Sequence, residues 1–330
     1  MISFLNSLLG ASSQGLLWAI MALGVYITFK ILDFADMTVD GSFATGGCTC
    51  AILLVNGCPP ILALLAAMAL GALAGFITGI LNTKLKIPGI LAGILMMLAL
   101  YSINLHILGQ PNISLSRMNI SVIDQIRDLV HLDPMKPNTI NYAGIITGVI
   151  FVAAIIAILY WFFGTEIGSA IRATGDNEHM ARAVGINTDS MKILALMIAN
   201  ALVALSGALV MQQQRFADVM MGTGAIVIGL ASIIIGEVIF GKRFSFWWYL
   251  LSVVFGSILY RVIIAIALRG MDPQDLKLLS AIIVAIALSI PVLKEKIFGN
   301  KKKPVKNPPN DAFVKENVEP TDDAFNGEEK

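Results

Sequence analysis

The sequence predicts an all-α fold, a polytopic membrane helix bundle of about nine spans built on an inverted repeat. Three observations predict it. The 330 residues are 57% hydrophobic and only 14% charged, where a soluble chain carries about 25% charge. Apolar runs close to the ~20 residues that cross a ~30 Å hydrocarbon core recur along the chain. A short motif, Phe34-Ala35-Asp36, returns as Phe216-Ala217-Asp218 at the entrance to a second small-residue run.

Taken in order, the apolar stretches occupy residues 8–29, 37–56, 60–82, 88–109, 142–163, 193–212, 222–240, 246–268 and 278–293. Helix is the element they require, because an open sheet edge in lipid leaves backbone groups unsatisfied. The first run has no basic n-region and no evident cleavage site, so it reads as a span and not as a removed signal. Placing the 83–87 connector inside puts Lys30, Lys84, Lys86, Arg172, Arg182, Lys192, Lys242, Arg243 and the lysines beyond residue 293 on the inner face. Arg117, Arg127, Lys136, Arg215, Arg269 and Lys277 then lie outside. That excess of basic residues inside predicts an outer N-terminus and a cytoplasmic C-terminus in the cell membrane. Residues 1–296 form the transmembrane domain on this reading. Residues 297–330, opening on Lys301-Lys302-Lys303 and continuing in Pro, Asn, Asp and Glu, read as a disordered cytoplasmic tail.

Both copies of the Phe-Ala-Asp motif follow an apolar span and precede glycine-rich sequence. The first leads to Gly41 and Gly46-Gly47, the second to Gly222-Thr223-Gly224. The topology puts the copies on opposite faces, as an inverted repeat does. Spans 1–4 then pair with spans 6–9, and span 5 joins the halves.

The connector 164–192 is long for a loop between membrane helices. Ile167, Ala170, Ile171 and Thr174 share a helical face, Gly175-Asp176-Asn177 breaks it, and Met180, Ala181 and Val184 mark a second short helix ended by Gly185. Asn187-Thr188-Asp189 supplies caps for the span that follows. Two capped helices of this kind form either a docking knob on the cytoplasmic face or an interfacial pair lying on headgroups.

The stretch Arg172-Ala173-Thr174-Gly175-Asp176-Asn177, followed by Ala181, Ala183 and Gly185-Ile186-Asn187-Thr188-Asp189, resembles the cytoplasmic coupling loop of branched-chain amino-acid and ribose-type ABC permeases. Asp33-Phe34-Ala35-Asp36 with Gly41, Gly46 and Gly47 is similar to the same family's entry to span 2, although Asp33 stands where part of the family has asparagine. The octapeptide Met271-Asp272-Pro273-Gln274-Asp275-Leu276-Lys277-Leu278 resembles a branch assigned to amino acids, often aromatic ones. The resemblance implies a permease subunit of an ATP-driven importer, working with a second permease copy, a separate ABC ATPase and an extracytoplasmic substrate-binding protein. It places Arg172, Asp176, Asn177, Glu178 and Gly185 at or near the ATPase contact. Nucleoside and sugar cargo remain alternatives to amino acids. An ion-coupled secondary transporter is the alternative from another class, with Asp40, Glu237 or Arg261 as coupling groups.

Candidate pathway or substrate residues are Thr38, Asp40, Ser42, Thr45, Glu237 and Arg261. Thr38, Asp40, Ser42 and Thr45 put a polar stripe at the start of span 2, which either lines the pathway or bonds neighbouring helices. Arg261 lies in mid-span and needs a partner, with Glu237 and Asp40 as candidates. Asn82 and Asn104 are expected to bond between helices.

Several classes are excluded. A net charge of +1 offers no basic surface for nucleic acid. Cys48, Cys50 and Cys58 make no disulfide framework, and His106, His131 and His179 complete no zinc spacing. Gly236 with Gly241-Lys242 mimics a phosphate loop, but Arg243 follows the lysine and no strand precedes it. Paired carboxylates and nucleophile–histidine arrangements are lacking, so the sequence predicts neither enzyme nor cofactor, with ATP hydrolysed on a partner chain.

Overall fold

The computed structural model describes residues 2–116, 120–131, 139–240, 246–267, 278, 280–286 and 289. The ninth apolar stretch is thereby described only in part, and residues 271–277 and the tail 297–330 lie outside the described residues.

Helix α1 (Ile2–Tyr26) continues into a π-helical turn at Ile27–Ile31. Then come α2 (Thr38–Val55), α3 (Pro60–Thr83), α4 (Gly89–Leu108), strand β1 (Asn112–Ser114), α5 (Val122–Leu129) and α6 (Thr139–Phe163). The second half holds α7 (Glu166–Asp176), α8 (Glu178–Ala183), α9 (Thr188–Gln214), β2 (Phe216–Asp218), α10 (Ala225–Phe240) and α11 (Phe246–Ala267). Seven of the described helices are long and apolar enough to span a bilayer; α10 is apolar but shorter, at 16 residues. Eight of the nine expected stretches are thus seen as helices, and the count of nine stays an expectation.

The bundle is arranged around α1, α2 and α9. Their apolar windows are 72%, 78% and 72% buried, whereas those of α4 and α6 are 28% buried and face outward. Hydrogen bonds fix the directions. Gln213 donates to Ser13 Oγ at 2.6 Å and Ser206 to the Leu17 carbonyl at 2.7 Å, so α1 and α9 run antiparallel. Ser42 donates to Asn200 at 2.7 Å and Gln212 to Cys50 Sγ at 3.2 Å, so α2 runs parallel to α9. Close approach requires glycine here: a Cβ on Gly46 would overlap the Ala204 carbonyl, and one on Gly207 would overlap that of Phe43.

The repeat is visible in the packing. The contact of α3 with α9 is mirrored by α11 with α1, α2 with α3 by α10 with α11, and α2 with α9 by α10 with α1. It is also visible in the backbone. Asp33 and Arg215, each just before a Phe-Ala-Asp copy, are both left-handed, with φ of 53° and 54°. In each copy the aspartate then accepts from the backbone N–H two residues on, Asp36 from Thr38 at 2.9 Å and Asp218 from Met220 at 2.6 Å. A left-handed site favours Asn and Asp among non-glycine residues, and Asp33 fits that preference.

Among the described residues, Lys30, Lys84, Arg172, Arg182 and Lys192, all expected inside, gather at one end. Lys84 lies 3.9 Å from Asp189, and the π-helical turn packs against α7. At the other end β1 pairs antiparallel with β2, Asn112 opposite Asp218. There α5, between the apolar stretches 88–109 and 142–163, opens on a capping box of Ser121 and Asp124, and Asp124 binds Arg215 at 2.6 Å.

Candidate functional site

Two regions hold the residues singled out from sequence. The first is the knob made by α7 and α8. Thr165 caps α7 by accepting from Gly168 N, Asn177 ends α7 and caps α8 by accepting from Met180 N at 3.0 Å, and Asn187 caps α9 by accepting from Ser190 N at 3.2 Å. Gly185 turns the chain with φ of 87°, which a side chain resists. The break falls at Asn177, since Gly175 and Asp176 remain helical. The buried face of α7 is Gly168, Ile171 and Thr174; Ile167, expected on it, is 47% exposed. The reason is steric: Gly168 sits so close to the end of α6 that this line of small residues faces inward and Ile167 is rotated out.

Charge ties the knob to α9. Glu178 accepts from Lys192 at 2.6 Å and pairs with Arg182 at 2.9 Å, and Arg182 also reaches Asp189 at 2.9 Å. The Lys192 hydrogen bond holds the Glu178 carboxyl below the usual carboxylate range. Arg172 donates to the Phe163 carbonyl and stacks with its guanidinium carbon 4.5 Å from the Phe246 ring centre. Arg172 and Asp176 line a cavity of about 850 Å³ with Tyr26, Lys30, Asp33 and Tyr249. Lys30, one of these lining residues, is 3.0 Å from Glu237, linking the π-helical turn to α10. Gly175 presses on the π-helical turn, where a Cβ would overlap the Ile31 carbonyl.

The second region lies near mid-depth. Asn200 stands 12 residues into α9, about 18 Å along it at 1.5 Å per residue. Its amide donates to Asp36 at 2.7 Å and accepts from Ser42 at 2.7 Å. Thr38 shares a 2.8 Å hydrogen bond with Thr78, and Thr45 donates to the Gly41 carbonyl at 2.9 Å. Thr38, Ser42 and Thr45 are at most 2% exposed, and in this structure their hydroxyls are committed to protein partners. Asp40 differs. It accepts from Gly224 N at 2.8 Å and Ile226 N at 2.9 Å, capping α10 across the repeat interface, and it lines a cavity of about 280 Å³. Charge-assisted bonds of this kind contribute about 1.5–3 kcal/mol.

Two expectations are corrected. Arg261 pairs with neither Glu237 nor Asp40, which are held by Lys30 and by the start of α10. Its guanidinium carbon lies 3.9 Å from the Trp18 ring centre, so the negative face of an indole replaces the carboxylate. Asn82 donates to the Ile87 carbonyl at 2.9 Å, in the adjoining connector, and Asn104 makes no interhelical bond among the described residues. Sequence reasoning quoted Asp36 for the repeat without placing it in the site, and passed over Asn200. The available signal was a carboxylate in a repeated motif and an amide in an apolar span.

Residues 7–289 match the family described as branched-chain amino acid transport system / permease component. The tyrosine transport system permease protein of Clostridioides difficile (strain R20291) is 41% identical over 286 residues, 86% of this chain and 91% of that protein. The ribose import permease protein of Escherichia coli (strain K12) is 26% identical, covering 70% of this chain and 69% of that one. Among solved structures, PsaBC from Streptococcus pneumoniae in complex with Fab superposes with a TM-score of 0.49 at 17% identity, over 89% of this chain and 94% of that one.

Proposed function

Because this chain belongs to the permease-component family of branched-chain amino acid transport systems, and so is the multi-pass membrane permease of an ABC importer, we propose that its cargo is an amino acid, an aromatic one first. Family membership removes the ion-coupled alternative. The observation that carries the cargo reading is the 41% identity, over nearly the whole chain, to a permease named for tyrosine transport. The identity to a ribose permease is 26%, so sugar is the competing cargo.

In this reading the α7–α8 knob docks a separate ATPase, and Arg172, Asp176, Asn177, Glu178 and Gly185 are at or near the contact. Three successive side-chain caps and the Glu178–Lys192 pair make the knob stiff enough to pass a push into the bundle. The knob end is cytoplasmic and the β1–β2 end receives cargo from an external binding protein. A second permease copy completes the pathway. Asp40 faces it, Thr38, Ser42 and Thr45 hold its wall, and Glu237 and Arg261 stand behind it.

The test is uptake into proteoliposomes holding the permease, its ATPase and its binding protein. ATP-dependent accumulation of labelled L-tyrosine, with none of D-ribose, is expected. Accumulation of ribose alone would replace the amino-acid reading with the sugar one.

A further inference from the structure

Asn104 of α4 is fully buried, and among the described residues neither its Oδ1 nor its Nδ2 has a hydrogen-bond partner. A buried polar group without a hydrogen bond is costly, and folded proteins keep few such groups. Asn104 is one of the residues that line the 280 Å³ cavity that Asp40 also lines. The rest of that wall is chiefly apolar or aromatic, from Met97, Leu98, Tyr101 and Met220. The volume falls just under the range of about 300–1,000 Å³ typical of drug-sized ligands, which suits one small molecule. The place is a repeat interface that runs from mid-bundle towards the β1–β2 end, against the N-terminus of the short helix α10; transporters hold cargo at such repeat interfaces.

One carboxylate, one unused amide and a soft apolar wall match a zwitterion with a large apolar side chain. The Asp40 oxygens bind Gly224 and Ile226 N–H, but each keeps a further lone pair for an ammonium. The Asn104 amide offers two N–H donors to a carboxylate. Thioether and ring surfaces from Met97, Met220 and Tyr101 suit an aromatic side chain. We propose that Asn104 and Asp40 form a cargo site within the permease itself, Asn104 Nδ2 donating to the carboxylate of a free amino acid and Asp40 accepting from its ammonium. This rests on the amino-acid reading above and adds to it a place and a binding polarity.

The experiment measures binding of L-tyrosine, L-tyrosinamide and D-ribose to the full transporter in nanodiscs, for wild type, Asn104→Asp and Asn104→Leu. Wild type should prefer tyrosine to tyrosinamide. Asn104→Asp sets a carboxylate against the ligand carboxylate, so tyrosine should weaken by about tenfold or more, as loss of a charge-assisted bond implies, while tyrosinamide becomes the preferred ligand. Asn104→Leu should weaken both. A merely structural amide would not reverse the ligand preference, and Asn104→Asp keeps the shape if the leucine variant fails to fold. Unchanged preference in Asn104→Asp, or no saturable tyrosine binding by a complex that imports tyrosine, overturns the site and leaves the cargo reading intact. Binding of ribose and of no amino acid by wild type overturns both.

Discussion

Gly175→Val is expected to leave the permease folded and its ATPase attached while ATP-driven uptake falls on the order of tenfold, the size of a typical coupling free energy. The added Cβ would overlap the Ile31 carbonyl and crowd the Leu32 backbone, so α7 must lift off the end of α1. The contact falls on the π-helical turn Ile27–Ile31, whose Ile27 carbonyl accepts from Leu32 N at 3.0 Å. Such turns are uncommon and concentrate at functional positions. Lys30 in the same turn is held by Glu237 of α10, so a push on α7 reaches both repeats at one point. The ratio of cargo moved to ATP hydrolysed in proteoliposomes reads the effect. An unchanged ratio would mean that the α7–α1 contact carries no motion.

Gly46→Leu should remove the folded protein itself. Gly46 lies at the crossing of α2 and α9, and any side chain there meets the Ala204 backbone and not a movable side-chain tip. Helix association in lipid depends on such close packing because no hydrophobic drive acts between helices, and overpacking typically costs about 1–3 kcal/mol, occasionally more, with a contact to rigid backbone at the upper end. Moving α2 outward would also stretch the Ser42–Asn200–Asp36 chain of hydrogen bonds. Size-exclusion profile and thermal midpoint in mild detergent check it: loss of the monodisperse peak is expected, and a wild-type midpoint would show that the crossing adapts.

What was legible in the sequence follows from which forces are local. Hydropathy located the described spans because each run meets the length requirement on its own. The break at Gly175-Asp176-Asn177, the stop at Gly185 and the cap at Asn187 located the knob because each acts within three residues of itself. The repeat was visible in three matching residues, and the left-handed Asp33 and Arg215 with their two-residue aspartate turns explain why those residues recur. Helix α5 was missed because its run is short and polar, although Ser121 and Asp124 already have capping-box spacing. The partner of Arg261 was not legible, since Trp18 is distant in sequence and charge arithmetic looks for a carboxylate. Nor was the cavity beside Asn104, because a cavity is a property of the packed bundle.

The proposed coupling requires the knob to engage an ATPase. The direct measurement is co-purification of the tagged full-length chain with its ATPase, wild type against a Gly185→Pro, Asp176→Arg double change. Proline at position 185 holds φ near −65°, where the turn needs 87°, and Asp176→Arg reverses an exposed charge. Both changes lie outside the membrane bundle. The expected result is that wild type retains the ATPase and the double change loses it with an unaltered elution profile. Equal retention by both would contradict docking through α7 and α8.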